Sequence, residues 1–284
     1  MFHYRLLSPV SSRHLHIPLI NHSPRRTTNT VFAFEFPPIN QILRWKDVVP
    51  GINKVVLISI LAAVIGISLF LIAARAEARK APKGARNLAE ILVEFIEKNI
   101  IMETMGRNGL TWTPFLLTLF VFIYLCNVPG IIPIIQMPAT ARMAIPAFLA
   151  VMVWVIYNAQ GIKHQGLFGY FKSVLFPPGV PKALYALVTP IEFISTLIVR
   201  PFSLMVRLFA NMLAGHLLLV IFALLSEALF QARTQQLFLV PLGVLPFFML
   251  IFLTAFELLV GFLQAYIFTI LTAVYIAGAV HSEH

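Results

Sequence analysis

Four polar side chains interrupt two long apolar runs near the C-terminus: Arg207 and His216 in the first, Glu257 and Gln264 in the second. Ionisable groups in hydrocarbon are expensive, from about 3 kcal/mol on insertion scales to over ~10 kcal/mol for an isolated arginine in simulations. An arginine in a protein does not give up its proton. It therefore carries no protons, but it can hold a nearby carboxylate ionised and bar direct passage between two water-accessible chambers. Imidazole and carboxyl groups do titrate, so His216 and Glu257 suit a relay. No Walker loop, GxGxxG, HExxH or GxSxG occurs in the chain, and covalent chemistry is left to a partner.

Set antiparallel, the two runs bring Arg207 level with Gln264 and His216 level with Glu257, the second pair about 10–13 Å further along the helix. Glu192 then comes level with residues near Val280. At about 100° per residue, Asn211, Ala214 and Leu218 share the stripe of Arg207, while His216 points about 180° away. Ala214 and Gly215 form a small-residue patch that lets another helix approach closely. Arg207 is thus expected to face a partner helix and His216 to turn inward toward Glu257. On the second run Glu257, Gly261, Gln264 and Phe268 form one stripe. The carboxylates of the two runs are Glu192, Glu227 and Glu257, and none shares the depth of Arg207. Its counter-charge is therefore expected from another subunit. The plainer alternatives are an ion pair with Glu192, about four turns away, and a packed core histidine at 216. Glu227 is expected at the interface, and Asn127-Val-Pro-Gly reads as a kink with a capped end.

The elements that hold these residues belong in lipid. Of 284 residues 59% are hydrophobic and 11% charged, with a mean hydropathy of +0.87; a soluble domain carries about 25% charge. The net charge of +10 lies in tails and short loops rather than on an aromatic-interleaved face, which argues against nucleic acid. The expected fold is all-α and polytopic, with spans over 55–74, 115–135, 143–162, 184–230 and 237–280. An amphipathic helix over about 87–103 lies along the interface. The last two runs are roughly twice the length that ~30 Å of hydrocarbon needs, which favours a tilted hairpin closed by Gln231–Gln236. Basic loops at 75–86 and 163–182 lie on the cytoplasmic side, putting the N-terminus outside and the C-terminus inside. The seven Lys and Arg of residues 1–54 argue the other way but sit in a long tail. Residues 1–53 form that tail, its first 34 residues transit-peptide-like in composition but the whole expected to be largely disordered or partly a mis-set start. Residues 54–284 form one membrane domain. A single cysteine, Cys126, rules out a disulfide framework, and no cofactor or metal is expected.

The stretch Arg207-Leu-Phe-Ala-Asn-Met-Leu-Ala-Gly-His216 strongly resembles the signature of subunit a of F-type ATP synthases. Glu257-Leu-Leu-Val-Gly-Phe-Leu-Gln264-Ala-Tyr-Ile-Phe-Thr is similar to the matching segment of that family's last helix. Pro190-Ile-Glu-Phe-Ile-Ser-Thr, Arg200-Pro and the bacterial-looking loop Leu175-Phe-Pro-Pro-Gly-Val-Pro fit as well. The resemblance runs from about Phe36 to Val280. It implies a stator with two offset aqueous half-channels against a rotating ring of c subunits, held by peripheral-stalk b subunits, in a bacterial plasma membrane. A soluble ATPase sector then makes ATP. It implies that Arg207 opposes the ring carboxylate, that Asn211, His216, Glu257 and Gln264 belong to the outer half-channel, and that Glu192 and Ser195 belong to the inner exit. Many bacterial members carry Glu at the position of His216 and His at that of Glu257, so the pair is swapped here as in mitochondrial relatives. The transported ion is expected to be H⁺. The competing reading is a stand-alone ion-coupled transporter, against which the chain lacks an internal repeat with paired broken helices.

Overall fold

The computed structural model describes residues 53–75, 84–132, 135, 137–176, 184–231 and 240–280. The expected tail, apart from Asn53, and most of the expected hairpin turn lie outside the described residues. The described elements are helical, with no strand among them. Helices are what a bilayer permits, because each satisfies its own backbone where no water can.

Helix α1 spans Lys54–Arg75 and buries only Val55, Ile58 and Ala62. Its other faces, with Ile60, Ile67 and Ile72, are exposed as a lipid-facing span should be. Lys54 donates through Nζ to the Ile135 carbonyl at 2.9 Å, tying the start of α1 to the loop after the next span. Gly84, at φ 59°, precedes α2, Ala85–Ile96, which continues through a π turn, Glu97–Ile101, to Thr104. This is the expected amphipathic helix. Ile96, Ile100 and Ile101 are fully buried, while Leu88 and Ile91 are left exposed.

A 3-10 segment, Arg107–Trp112, leads into α3, Thr113–Asn127. The span expected to reach Ile135 stops its α-helix at Asn127, and Val128–Gly130 tighten into a 3-10 turn around Pro129. Helix α4, Ala144–Leu175, is also longer than the expected 143–162 span. Much of the expected loop 163–182 is helical, broken at Gly166, whose φ of 73° an L side chain rarely adopts. The chain folds back there: Tyr170 packs on Gly161 and donates to Asn158 Oδ1 at 2.9 Å, and Ser173 donates to Gln165 Oε1 at 2.8 Å.

The long hairpin consists of α5 (Tyr185–Ile194), a π turn (Ser195–Val199), α6 (Arg200–Gln231) and α7 (Val240–Val280). The 41 residues of α7 make a rod of about 62 Å, so an apolar layer of ~30 Å takes it only at a steep tilt. Helix α7 packs against α3, α4 and α6. Ala265, Ala273 and Ala279 are buried along it, and small side chains allow close approach where lipid supplies no hydrophobic drive. Phe95, Phe120 and Tyr124 surround the Phe262 ring at 5.6–6.1 Å, fastening α2 and α3 to α7.

The Tyr170–Gly161 contact is testable. A Cβ at 161 would fall 3.0 Å from Tyr170 Cζ and closer still to the ring edge, where the ring is itself buried. Gly161→Ala should destabilise the purified subunit by about 1–3 kcal/mol through overpacking, seen as a lower thermal midpoint in detergent. Gly278→Ala, with open space around the new methyl group, should leave the midpoint unchanged.

Candidate functional site

The site is built on the facing surfaces of α6 and α7. Gly215 stands against Glu257, where an added Cβ would lie 3.2 Å from Oε1, and Gly243 stands against Leu229 at the same distance from its Cβ. The two contacts are fourteen residues apart on each helix and run in opposite senses, so the helices are antiparallel in one constant register. Carried along α6 and α7, that register brings Arg207 level with Gln264, as spacing suggested.

The faces of α6 divide sharply. Arg207, Asn211, Ala214 and Leu218 are exposed in one stripe. Leu208, Met212 and His216 are buried at 1–2% exposure on the other side. No described residue forms a hydrogen bond or ion pair with Arg207, and the alternative ion pair with Glu192 is not formed. The guanidinium stands on the surface of the subunit, within a helix whose flanking side chains are made for hydrocarbon.

The stripe Glu257, Gly261, Gln264 and Phe268 of α7 is buried throughout. Both carboxyl oxygens of Glu257 lack a hydrogen-bond partner although the side chain is only 6% exposed. One turn further along α7, Asn127 of α3 donates through Nδ2 to the Gly261 carbonyl at 3.2 Å and accepts from the Thr140 hydroxyl. Asn127 is therefore more than the end of a kinked helix: it ties α3 and the loop after it to the polar stripe of α7. Its only trace in the sequence is one amide closing a largely apolar run.

His216 and Glu257 sit at one level but line different cavities. His216 opens onto a cavity of about 270 Å³ shared with Gly130, Glu227 and Thr254. Glu257 lines a groove of about 530 Å³ with Asn211, Ala214, Gly215 and Gln264. His216 does not hydrogen-bond Glu257 as the inward-turned pairing requires, since both Glu257 oxygens are without partners. Gly215, next to His216 in sequence, packs against the Glu257 carboxyl and lines the Glu257 groove rather than the His216 cavity. Glu227, expected merely at the interface, joins the His216 cavity.

Glu192 and Ser195 are half-buried on α5 and in the π turn, away from both cavities. Sequence reasoning missed the groups around them. Tyr157 of α4 donates its hydroxyl to the Thr196 carbonyl at 2.8 Å, and Arg200 lies 5.6 Å from the centre of the Tyr275 ring. The available signal was Pro201, which has no N–H to continue a helix ladder. Among the described residues no group of three His, Cys, Asp or Glu side chains is placed to hold a metal.

The Asn127 bridge gives a stability test. Asn127→Ala leaves the Thr140 hydroxyl without its acceptor in the interior and should cost about 1–3 kcal/mol, read as a lower thermal midpoint. Asn99→Ala, which removes only an exposed bond to the Phe95 carbonyl, should stay within about 0.5 kcal/mol of the parent.

Compared with known proteins, residues 56–277 match the sequence profile described as ATP synthase A chain. The chain is 44% identical over 261 residues to the ATP synthase subunit a of Frankia alni, covering 89% of this chain and 88% of that one. It is 43% identical to the subunit a of Rhodococcus erythropolis, over 82% of this chain and 84% of the relative. For Maricaulis maris the identity is 39%, over 79% and 87%. The chain belongs to the ATP synthase A chain family.

Proposed function

We propose that this member of the ATP synthase A chain family is the proton-conducting stator subunit of a rotary ATP synthase, forming two aqueous half-channels against a ring of c subunits. The observation that carries the reading is Arg207: exposed, without a partner in its own chain among the described residues, and sharing its stripe with Asn211, Ala214 and Leu218. Such a charge is costly in lipid and is relieved by water or by an opposite charge beside it. A ring carboxyl crosses lipid neutral and ionises where Arg207 faces it, because a nearby positive charge favours the anion. Arg207 holds its own proton, so a proton cannot step past it and must ride the ring.

The cavities suggest the order of the outer path. A proton enters between Glu227 and His216, passes to Glu257 at the same level, and reaches the ring through the groove of Asn211 and Gln264. After rotation it leaves on the other side of Arg207, past Ser195 and Glu192. Each unit charge crossing the potential releases about 2.3 kcal/mol per 100 mV, and that free energy drives the ring. The chain makes no ATP itself; a soluble ATPase sector does, with peripheral-stalk b subunits holding the stator still. The membrane is the bacterial plasma membrane, with the N-terminus outside and the C-terminus in the cytoplasm, a reading supported by the basic residues of 75–86 and 163–182. A stand-alone transporter would need discontinuous helices around a midplane substrate site, whereas α6 and α7 run unbroken.

Two measurements test this. Gentle solubilisation of the membrane should yield the chain together with a ring of small hairpin subunits and an ATPase; recovery of the chain alone rejects the stator. In vesicles bearing the assembled complex, Arg207→Ala should abolish ATP-driven proton pumping. Arg207→Lys should lose at least about tenfold, because a flexible ammonium does not reproduce the planar guanidinium. Normal pumping by Arg207→Ala contradicts the role given to it.

A further inference from the structure

The π turn between α5 and α6 has a complete hydrogen-bond explanation. The Arg200 N–H donates to the Ser195 carbonyl, five residues back. In a regular helix that N–H would serve Thr196, and the next candidate donor is residue 201. Residue 201 is proline and has no N–H. The Thr196 carbonyl is thus stranded in a buried position, and the Tyr157 hydroxyl reaches it from α4 at 2.8 Å. Tyr157 is itself 2% exposed, with its ring 5.8 Å from that of Tyr275.

A π turn accommodates one more residue than an α turn, so the helix before it is rotated by about 100° relative to the helix after it. In an unbroken helix Thr196 would lie about 20° from the Arg207 stripe and Ser195 about 120° from it. With the extra residue Ser195 comes to about 20° from that stripe, Glu192 to about 40° on its other side, and Thr196 to about 80°. Burial agrees with the rotated arrangement. Thr196 is 2% exposed, like Leu204 and Leu208 in the same direction, while Ser195 and Glu192 are half-buried.

We propose that Tyr157 is a positioning residue: by capping the carbonyl that Pro201 leaves without a donor, it holds the π turn that rotates Ser195 onto the Arg207 side of the helix. The inference rests on the proposed proton route, in which Ser195 and Glu192 form the inner exit. It adds a residue that touches neither the ring nor the proton path, yet sets the phase between the exit and the arginine.

The test uses the assembled complex in inverted membrane vesicles, with Ser195→Cys or Thr196→Cys exposed to silver ion or a membrane-impermeant thiol reagent. The thiol at position 195 should react on the order of tenfold faster than the thiol at position 196, since thiol reactivity depends on access. Adding Tyr157→Phe, which keeps the ring against that of Tyr275, should narrow that ratio to about threefold or less and lower ATP-driven pumping in step. Equal reactivity of the two thiols without the Tyr157 change overturns the inference. So does a ratio that Tyr157→Phe leaves intact while pumping falls, which would make the tyrosine ordinary packing. If Tyr157→Phe does not assemble, the ratio in the Tyr157 background still tests the rotated phase, and a ratio near one overturns the inference. If neither thiol reacts while Arg207→Ala still abolishes pumping, the phase inference fails and the arginine's role stands.

Discussion

Arg207 stands exposed on α6 with no hydrogen bond or ion pair to any described residue, within a helix whose other face is sealed by Leu208, Met212 and His216. The guanidinium cannot shed its proton to escape hydrocarbon, and it cannot turn inward without breaking that seal. Among the described residues none supplies a neutralising group. The rest of the fold can be understood as what keeps the arginine there: α7 braces α6 beside the arginine stripe in a fixed register through Gly215 and Gly243, and α4 packs on α6 and, with α3, on α7.

Irregular backbone in a membrane survives only where protein supplies the missing bonds, and the π turn before α6 obeys that rule through Tyr157. Two further side chains reach backbone carbonyls of the hairpin. Asn127 donates to Gly261 of α7, and Gln165, beside the break at Gly166, donates to the Ala279 carbonyl at 2.9 Å. All three donors belong to α3 or α4, so the shorter spans hold the long hairpin as well as crossing the membrane beside it.

How much of this was legible depends on the range of each interaction. The division of α6 into an exposed Arg207 stripe and a buried His216 side needs only helical periodicity, and the level pairing of the two runs needs only their polar residues. Both are local and appear in the sequence directly. The π turn does not, because it depends on a tyrosine thirty-nine residues away; Pro201 signals a lost donor but not where the replacement stands. The Asn127 bridge spans 134 residues, and nothing local separates it from a helix cap. The separation of His216 from Glu257 escaped because spacing gives depth and direction on each helix, not which cavity each side chain lines. Gly215 read as a place for close packing, and the close neighbour there is the Glu257 carboxyl.

The central claim is that the Arg207 stripe faces a ring of carboxylate-bearing subunits. The direct measurement is zero-length disulfide cross-linking in native membranes, with a cysteine placed in turn at Ala214 on that stripe and at Met212 on the buried side, against cysteines introduced along the outer helix of the ring subunit. The account predicts an adduct between the two subunits from position 214 at the depth of the ring carboxyl, and none from position 212. Adducts from 212 and not 214, or no adduct from either while the complex stays assembled, would contradict it.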